Sequence, residues 1–320
     1  MIEAVPLLAW PIHQRSLTIL IFHRVLPAAD PFRPGEAVAA VFGRQMRFLS
    51  EYFAVLPLAD AAEQLTRGSL PARACCITFD DGYADNLTVA LPILERYRLP
   101  ATVFVATGYL DGGRMFNDSV IDAIATADVP SLDLRELALE QYPLSSVAQR
   151  RDASQRILER LKYLPPAQRD VAVERLVVLA KCPLLATDIM LRSEQVAELS
   201  RHGIEIGGHT VAHTILTTLD DARARTEMAT GKQQLEHIVG RPVRMFAYPN
   251  GRPGRDYAAR HAAMAREVGF ELAVTTASGV AQRTSDPYQL PRFTPWGASV
   301  AKLGARMMRN AWTGKAFAVC

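Results

Sequence analysis

Two adjacent carboxylates, Asp80 and Asp81, end an apolar run and are followed by Gly82. Neighbouring side chains on extended backbone point to opposite faces, so the two are suited to different tasks, one toward a metal ion and one toward substrate. Far downstream, His209 and His213 stand four residues apart. On a helical turn that spacing puts both imidazoles on one face and suits a zinc-type ion. Asp81, His209 and His213 then make a two-histidine, one-carboxylate set with positions open for water and substrate, and Asp80 is the natural general base beside it. A divalent ion lowers the pKa of bound water and polarises a carbonyl oxygen. A carboxylate within one hydrogen bond of that water takes its proton. This is equipment for hydrolysing an amide or an ester. Each signal alone has a plainer meaning, since Asp-Asp-Gly also caps helices and an isolated HxxxH is often structural. Their conjunction carries the argument.

The elements that must position these residues alternate short apolar runs with helical stretches. Strands are expected at 17–25, 54–58, 74–79, 101–107, 204–207, 243–247, 271–276 and 289–293, and helices at 193–202, 221–239 and 256–268, with another running from the Asp-Asp-Gly turn to Tyr97. Repeated βα units imply a parallel sheet covered by helices, either open or closed as a barrel. In both, chemistry collects at the carboxyl ends of strands. His23, Asp80, Asp81, His209 and Asn250 all fall there. The rhythm breaks between about 111 and 190, a polar, helix-rich stretch with Pro165-Pro166 in its middle, read as a helical insertion. The chain is otherwise expected to be a single domain over 1–320. Near its end, at about 298–315, Val300, Leu303, Met307 and Met308 share a helical face beside Lys302, Arg306, Arg309 and Lys315. A basic amphipathic helix of this kind either docks on its own domain or lies on an anionic membrane.

Composition narrows the class. With 320 residues, 49% hydrophobic and 22% charged, the chain is globular and large enough for a substantial core, which excludes disorder and a disulfide-stapled miniprotein. The net charge of +3 comes without a basic block, so no nucleic-acid partner is expected. Cys75, Cys76, Cys182 and Cys320 show no framework spacing, which reads as a reduced chain. No run approaches the roughly 20 apolar residues of a membrane span. The start, MIEAVPLLAWPIHQR, lacks a basic region and a clean cleavage site, so a cytoplasmic protein is the expectation, with peripheral membrane contact through the last helix as the alternative to its docking.

ITFDDGY (77–83) and HTVAH (209–213) resemble the first two signatures of the polysaccharide deacetylase family, also called the NodB-homology family or carbohydrate esterase family 4, and FAYPNG (246–251) resembles its third. The resemblance covers about 17–110 and 190–295. It implies a distorted (β/α)7 barrel, with seven rather than eight strands. It implies Asp80 as catalytic base and Asp81, His209 and His213 as ligands of Zn2+ or another divalent transition metal. Tyr248, Asn250 and Arg292 fall on the substrate and oxyanion side, with a backbone N–H near Asn250 holding the oxyanion. The zinc-protease HExxH is the other likeness of HTVAH, but residue 210 is Thr, so the protease base is missing.

The chain departs from the family pattern at three places. Ala247 stands where the third signature has the Arg that tunes the base, and Asn250 where it has an aromatic residue. Leu290-Pro291-Arg292 stands where a Leu-x-His would supply the general acid. Arg292 is the candidate to replace the Arg, and His23, in FHRV, the candidate to replace the His. A similar His occurs in the branch acting on exopolysaccharides. The leading expectation is thus a metal-dependent N-deacetylase of an N-acetylated polysaccharide or oligosaccharide in exopolysaccharide biosynthesis. The alternatives are a non-catalytic saccharide-binding relative that keeps the metal site, and a non-haem iron oxygenase, which the βα rhythm disfavours. Asn117-Asp118 and Trp296 are further candidates for the cleft, with turn, cap or packing roles equally open.

Overall fold

The structure, a computed structural model, describes residues 15–182, 184–295, 297 and 299–313. The first 14 residues, His13 among them, and Trp296, Lys315 and Cys320 lie outside these, as does the reading of the chain's start.

Seven apolar runs form one parallel sheet in sequence order: Thr18–Phe22 (β1), Ala74–Phe79 (β2), Thr102–Val105 (β3), Glu205–Gly208 (β4), Met245–Ala247 (β5), Leu272–Ser278 (β6) and Leu290–Arg292 (β7). The sheet nearly closes on itself. Phe293 bridges Leu20 in parallel, its N–H donating to Ile19 at 2.7 Å and its carbonyl accepting from Ile21 at 3.1 Å. The result is a distorted (β/α)7 barrel. The expected strand over 54–58 is only two residues long, Ala54–Val55. It pairs with Ala74 and Cys75 on the edge of β2 that β3 occupies further along. It ends because Pro57 precedes a helix, Leu58–Arg67, that closes with left-handed Gly68.

Side-chain alternation divides the strands into two cores. Leu17, Ile19, Cys76, Phe104, Met245, Ala247, Leu272, Val274 and Leu290 join one cluster, with Leu58, Ala61 and Leu65 from the helix at the strands' amino-terminal end. Their strand neighbours Leu20, Phe22, Ile77, Phe79, Val103, Val105, Phe246 and Ala273 face the outer helices. The same period of two carries Thr78 and Asp80 from β2, and Arg292 from β7, onto the inner face.

The stretch between β3 and β4, expected to be an insertion, has its own core. Helices Phe116–Ala125, Val147–Leu161 and Pro166–Leu179 pack Val120, Ile124, Ile157, Leu161, Val173 and Leu176 together. They are joined by an antiparallel hairpin, Ser131–Asp133 with Gln141–Pro143, that the helical reading of this stretch did not include. Arg150 fastens the unit by donating to the carbonyls of Ile124, Ala125, Ala127 and Leu144 at 2.8–3.1 Å. The last helix, Val300–Thr313, turns Leu303, Met307 and Ala311 into the barrel's outer core, with Val300 and Met308 packed against it. Its apolar face is used there, so a membrane contact through that face would require the helix to leave the core. Among the described residues, no helix is long and apolar enough to cross a membrane.

Candidate active site

Strand register assembles the site. Phe22 pairs with Phe79, and the Asp80 N–H donates to the Phe22 carbonyl at 3.0 Å, so His23 and Asp80 leave the barrel side by side. Val105 pairs with Gly208, and the His209 N–H donates to Val105 at 3.1 Å. Glycine is required at 207, because a Cβ there would sit 2.3 Å from the Phe104 ring. Asp81 breaks the strand alternation with a φ of 78°, which swings its carboxylate away from that of Asp80.

The Asp81 Oδ1 lies 3.3 Å from the Nε2 of both His209 and His213. The three candidate ligand atoms lie within 4.8 Å of one another. The His209 Nδ1 is 2.7 Å from the Ala247 carbonyl, which assigns the proton to that nitrogen and leaves the Nε2 lone pair pointing to the centre. The Asp81 Oδ1 is buried with no hydrogen-bond partner. A buried carboxylate oxygen without a donor, facing two imidazole nitrogens, is what a divalent ion satisfies, so the donor set fits the metal implied by the chemistry. Burial pushes the His213 imidazole down to about 4, so it stays neutral and able to ligate at ordinary pH. For Asp81, burial raises the carboxyl pKa, but His213 and His209 outweigh it and hold the group ionised.

One expectation fails here. Residues 209–213 are not a helical turn but a loop, with left-handed Thr210 (φ 62°) and His213 (φ 48°). The i,i+4 spacing brings the rings together all the same, with centroids 4.8 Å apart.

Asp80 is held by Arg292. The guanidinium donates from Nη1 to Oδ1 at 2.7 Å and from Nη2 to Oδ2 at 2.6 Å, while its Nε donates to the Thr275 carbonyl at 2.9 Å. Burial alone would raise the Asp80 pKa; the charge and hydrogen bonds of Arg292, with His209 and His23, bring it below the ordinary carboxylate value. For His23, burial opposes the charged form, and the carboxylates of Asp81, Asp80 and Glu36 more than offset it, so its pKa is raised.

His23, Asp80, Asp81, His209 and His213, but not Arg292, line a cleft of ≈ 590 Å³ with Asn250, Arg252, Thr276 and, from the insertion, Phe116, Asn117 and Lys162. Asn250 is left-handed, and its carbonyl accepts the Thr276 hydroxyl at 2.5 Å. Gly251 follows because a Cβ there would meet the Tyr248 carbonyl at 2.9 Å. Tyr248 itself is withdrawn from the cleft. Its ring stacks on Tyr257 at 4.0 Å, its hydroxyl donates to the Tyr288 carbonyl, and its N–H donates to Val274. Tyr248, expected on the substrate and oxyanion side, is therefore not among the residues that line the cleft, and its contacts hold the turn that leads to Asn250.

Further polar residues meet at the cleft and its rim, of which Glu36 and Arg33 carry no sequence signal that marks them. Glu36 lines the cleft beside His23 and accepts the Arg24 N–H at 3.2 Å. Tyr83 donates to Asp118 at 2.8 Å, and Arg33 joins Asp118 at 3.1 Å and Asp122 at 2.5 Å, pinning the insertion to the barrel mouth. These pairs are 35 to 89 residues apart in the chain, beyond the reach of any local pattern.

The structure is thus a (β/α)7 barrel that carries a candidate two-histidine, one-carboxylate metal site and an Arg-held second carboxylate at the carboxyl end of its strands. The polysaccharide deacetylase family profile matches residues 67–273, more than half of the chain, and the protein belongs to that family. It is 23% identical over 279 residues to the Bacillus subtilis protein YxkH, whose own description as a polysaccharide deacetylase is provisional; the match spans 87% of this chain and 70% of YxkH. The fold is shared with solved structures, among them these three. The Streptococcus pyogenes deacetylase PplD, in complex with acetate, superposes with a TM-score of 0.62 at 20% identity, covering 92% of this chain and 98% of that one. IcaB from Ammonifex degensii gives 0.58 at 19% identity, covering 91% and 96%. The deacetylase domain of BpsB from Bordetella bronchiseptica gives 0.56 at 19% identity, covering 89% and 97%.

Proposed function

We propose that this chain is a metal-dependent N-deacetylase of an N-acetylated polysaccharide or oligosaccharide, acting in exopolysaccharide biosynthesis. The observation that carries the reading is the unpartnered Asp81 Oδ1, 3.3 Å from both the His209 and the His213 Nε2, beside an Asp80 carboxylate held in a bidentate grip. Asp81, His209 and His213 would hold the ion, taken here as Zn2+. When bound, it supplies a water of lowered pKa and polarises the acetamide carbonyl. Asp80 accepts the proton of the attacking water; Arg292 keeps that carboxylate ionised and aimed. A backbone N–H near Asn250 would hold the developing oxyanion. His23 returns a proton to the departing amine, so acetate and a free amino sugar leave. Phe116 and Asn117 from the insertion wall the cleft against bulk water and contact the saccharide.

The test is acetate release from N-acetylglucosamine oligomers with zinc, after chelation, and with an Asp80→Asn variant. Zinc-dependent release that disappears in the variant supports the reading. Stoichiometric zinc uptake with no release from any acetylated saccharide overturns the enzymatic part.

A further inference from the structure

We propose that Glu227 is a positioning residue for the metal-binding loop, acting on His213 through the backbone. Glu227 lies on the helix Asp221–Val239, well outside the cleft. One of its carboxylate oxygens, Oε2, accepts the N–H groups of both Val211 and Ala212, at 2.9 and 2.8 Å. These two peptides lie between the ligands His209 and His213.

The opposite side of the loop is held as closely. The Thr210 carbonyl accepts from the Thr107 N–H at 3.3 Å, the Val211 carbonyl from the Gly108 N–H at 2.8 Å, and the Ala212 carbonyl from the Tyr109 hydroxyl at 2.9 Å. A Cβ at Gly108 would lie 2.8 Å from the Val211 carbonyl oxygen, so the approach needs glycine. Gly231, one turn beyond Glu227, seats its helix against the loop, where a Cβ would come within 3.1 Å of the Thr210 carbonyl. The loop holds two non-glycine residues in the left-handed region, Thr210 and His213. Such a conformation persists only when its surroundings over-determine it. An acceptor oxygen shared by two consecutive N–H groups is one such constraint.

The two histidines depend on this clamp unequally. The Nδ1 of His209 is anchored on the Ala247 carbonyl, whereas the Nδ1 of His213 is buried without a partner. Metal-ligating imidazoles are ordinarily oriented through their second nitrogen. For His213 the orientation comes instead from the loop backbone, and therefore from Glu227.

The inference rests on the metal-site reading above, and its test separates the two. Zinc affinity is measured on chelator-stripped protein by competition with a chromophoric chelator, alongside the thermal midpoint of the metal-free form. Glu227→Ala should weaken zinc about 10- to 100-fold, the size of outer-shell effects on metal sites. Glu227→Gln keeps an acceptor oxygen and should recover most of that loss, whereas a merely structural role would lower the thermal midpoint of the metal-free form and leave zinc affinity of the folded protein unchanged. If Glu227→Ala does not fold, Glu227→Asp, one methylene too short to reach both N–H groups, should show the weakening. Wild-type affinity in the folded Ala variant, or failing that in the Asp variant, overturns the clamp while leaving the metal site intact. A wild-type protein that takes up no zinc overturns both.

Discussion

Arg292 grips both oxygens of Asp80 across the closing seam of the barrel, 212 residues apart in the chain, with both side chains buried. The pair makes a carboxylate available at the site without exposing it to bulk water. Its geometry follows from strand parity, since Asp80 continues the inner face of β2 and Arg292 that of β7. Removing one partner of such a buried pair strands the other.

Arg292→Met should therefore do two things. Stability should fall by about 3–5 kcal/mol, the cost of leaving a buried charge uncompensated. The Asp80 pKa, now below the ordinary value, should rise, so that the base is protonated at higher pH and the acid limb of kcat/KM moves upward. Arg292→Lys keeps the charge but not the fork and should give a smaller shift in the same direction. Denaturant titration and a pH–rate profile measure the two effects. An acid limb that stays in place in both variants removes Arg292 from the tuning of the base.

The two adjacent aspartates should separate cleanly by assay. Asp80→Asn should retain zinc uptake while acetate release drops by about 10²–10⁴-fold, the range of general-base catalysis. Asp81→Asn should lose zinc uptake, because the Asp81 Oδ1 lies 3.3 Å from the Nε2 of both imidazoles. Equilibrium dialysis with metal analysis distinguishes them, and equal zinc loss in both variants would contradict the division of labour.

The sequence shows these features unequally, for physical reasons. Alternating βα runs and residues at strand ends are local patterns, so a helix-covered parallel sheet and the cleft's address could be read from them, whereas closure into a seven-strand barrel came from the family resemblance. The HxxxH spacing suggested a helical turn because a helix is one way to bring i and i+4 together; a loop with left-handed Thr210 and His213 is another, and it depends on Glu227 and the segment 107–109. Tyr248 looked like a cleft residue because it sits in a motif, but its ring found Tyr257 and its hydroxyl found Tyr288. The Tyr83–Asp118 and Arg33–Asp118 contacts that seat the insertion are long-range pairings of common polar residues. Local patterning carries no record of such pairings.

Metal-free protein should lose stability as the pH falls from about 6.5 to about 4. His261 is fully buried, its Nδ1 accepts the Ala258 N–H at 3.0 Å, and burial pushes its pKa down to about 4. Its folded pKa lies below the unfolded value of 6.5, so the unfolded chain takes the proton first. The stabilisation is complete above that value and is lost as the pH falls through the folded pKa. The shift corresponds to at most about 3 kcal/mol. His213 adds a contribution of the same sign in the metal-free protein. His261→Gln keeps an acceptor but cannot titrate, so urea unfolding at pH 7 and pH 5 should differ less in that variant. An undiminished difference would assign the pH dependence elsewhere.

His23 gives the complementary prediction on the alkaline side. It leaves β1 beside Asp80 and faces the same cleft as Asp81 and Glu36, whose negative charges raise its pKa against the opposing effect of burial. A proton donor with a raised pKa is protonated below that pKa and is lost above it, so the alkaline limb of kcat should report His23. His23→Gln should reduce kcat by about 10²-fold or more, the lower end of general-acid contributions, and flatten that limb. KM should change little, because the proton is delivered only as the amine departs. Substrates with a more acidic leaving amine need less protonation and should be less impaired by the variant. Acetate release from a series of N-acyl compounds of graded leaving-group pKa measures this, and an equal loss across the series would reduce His23 to a group that orients its neighbours.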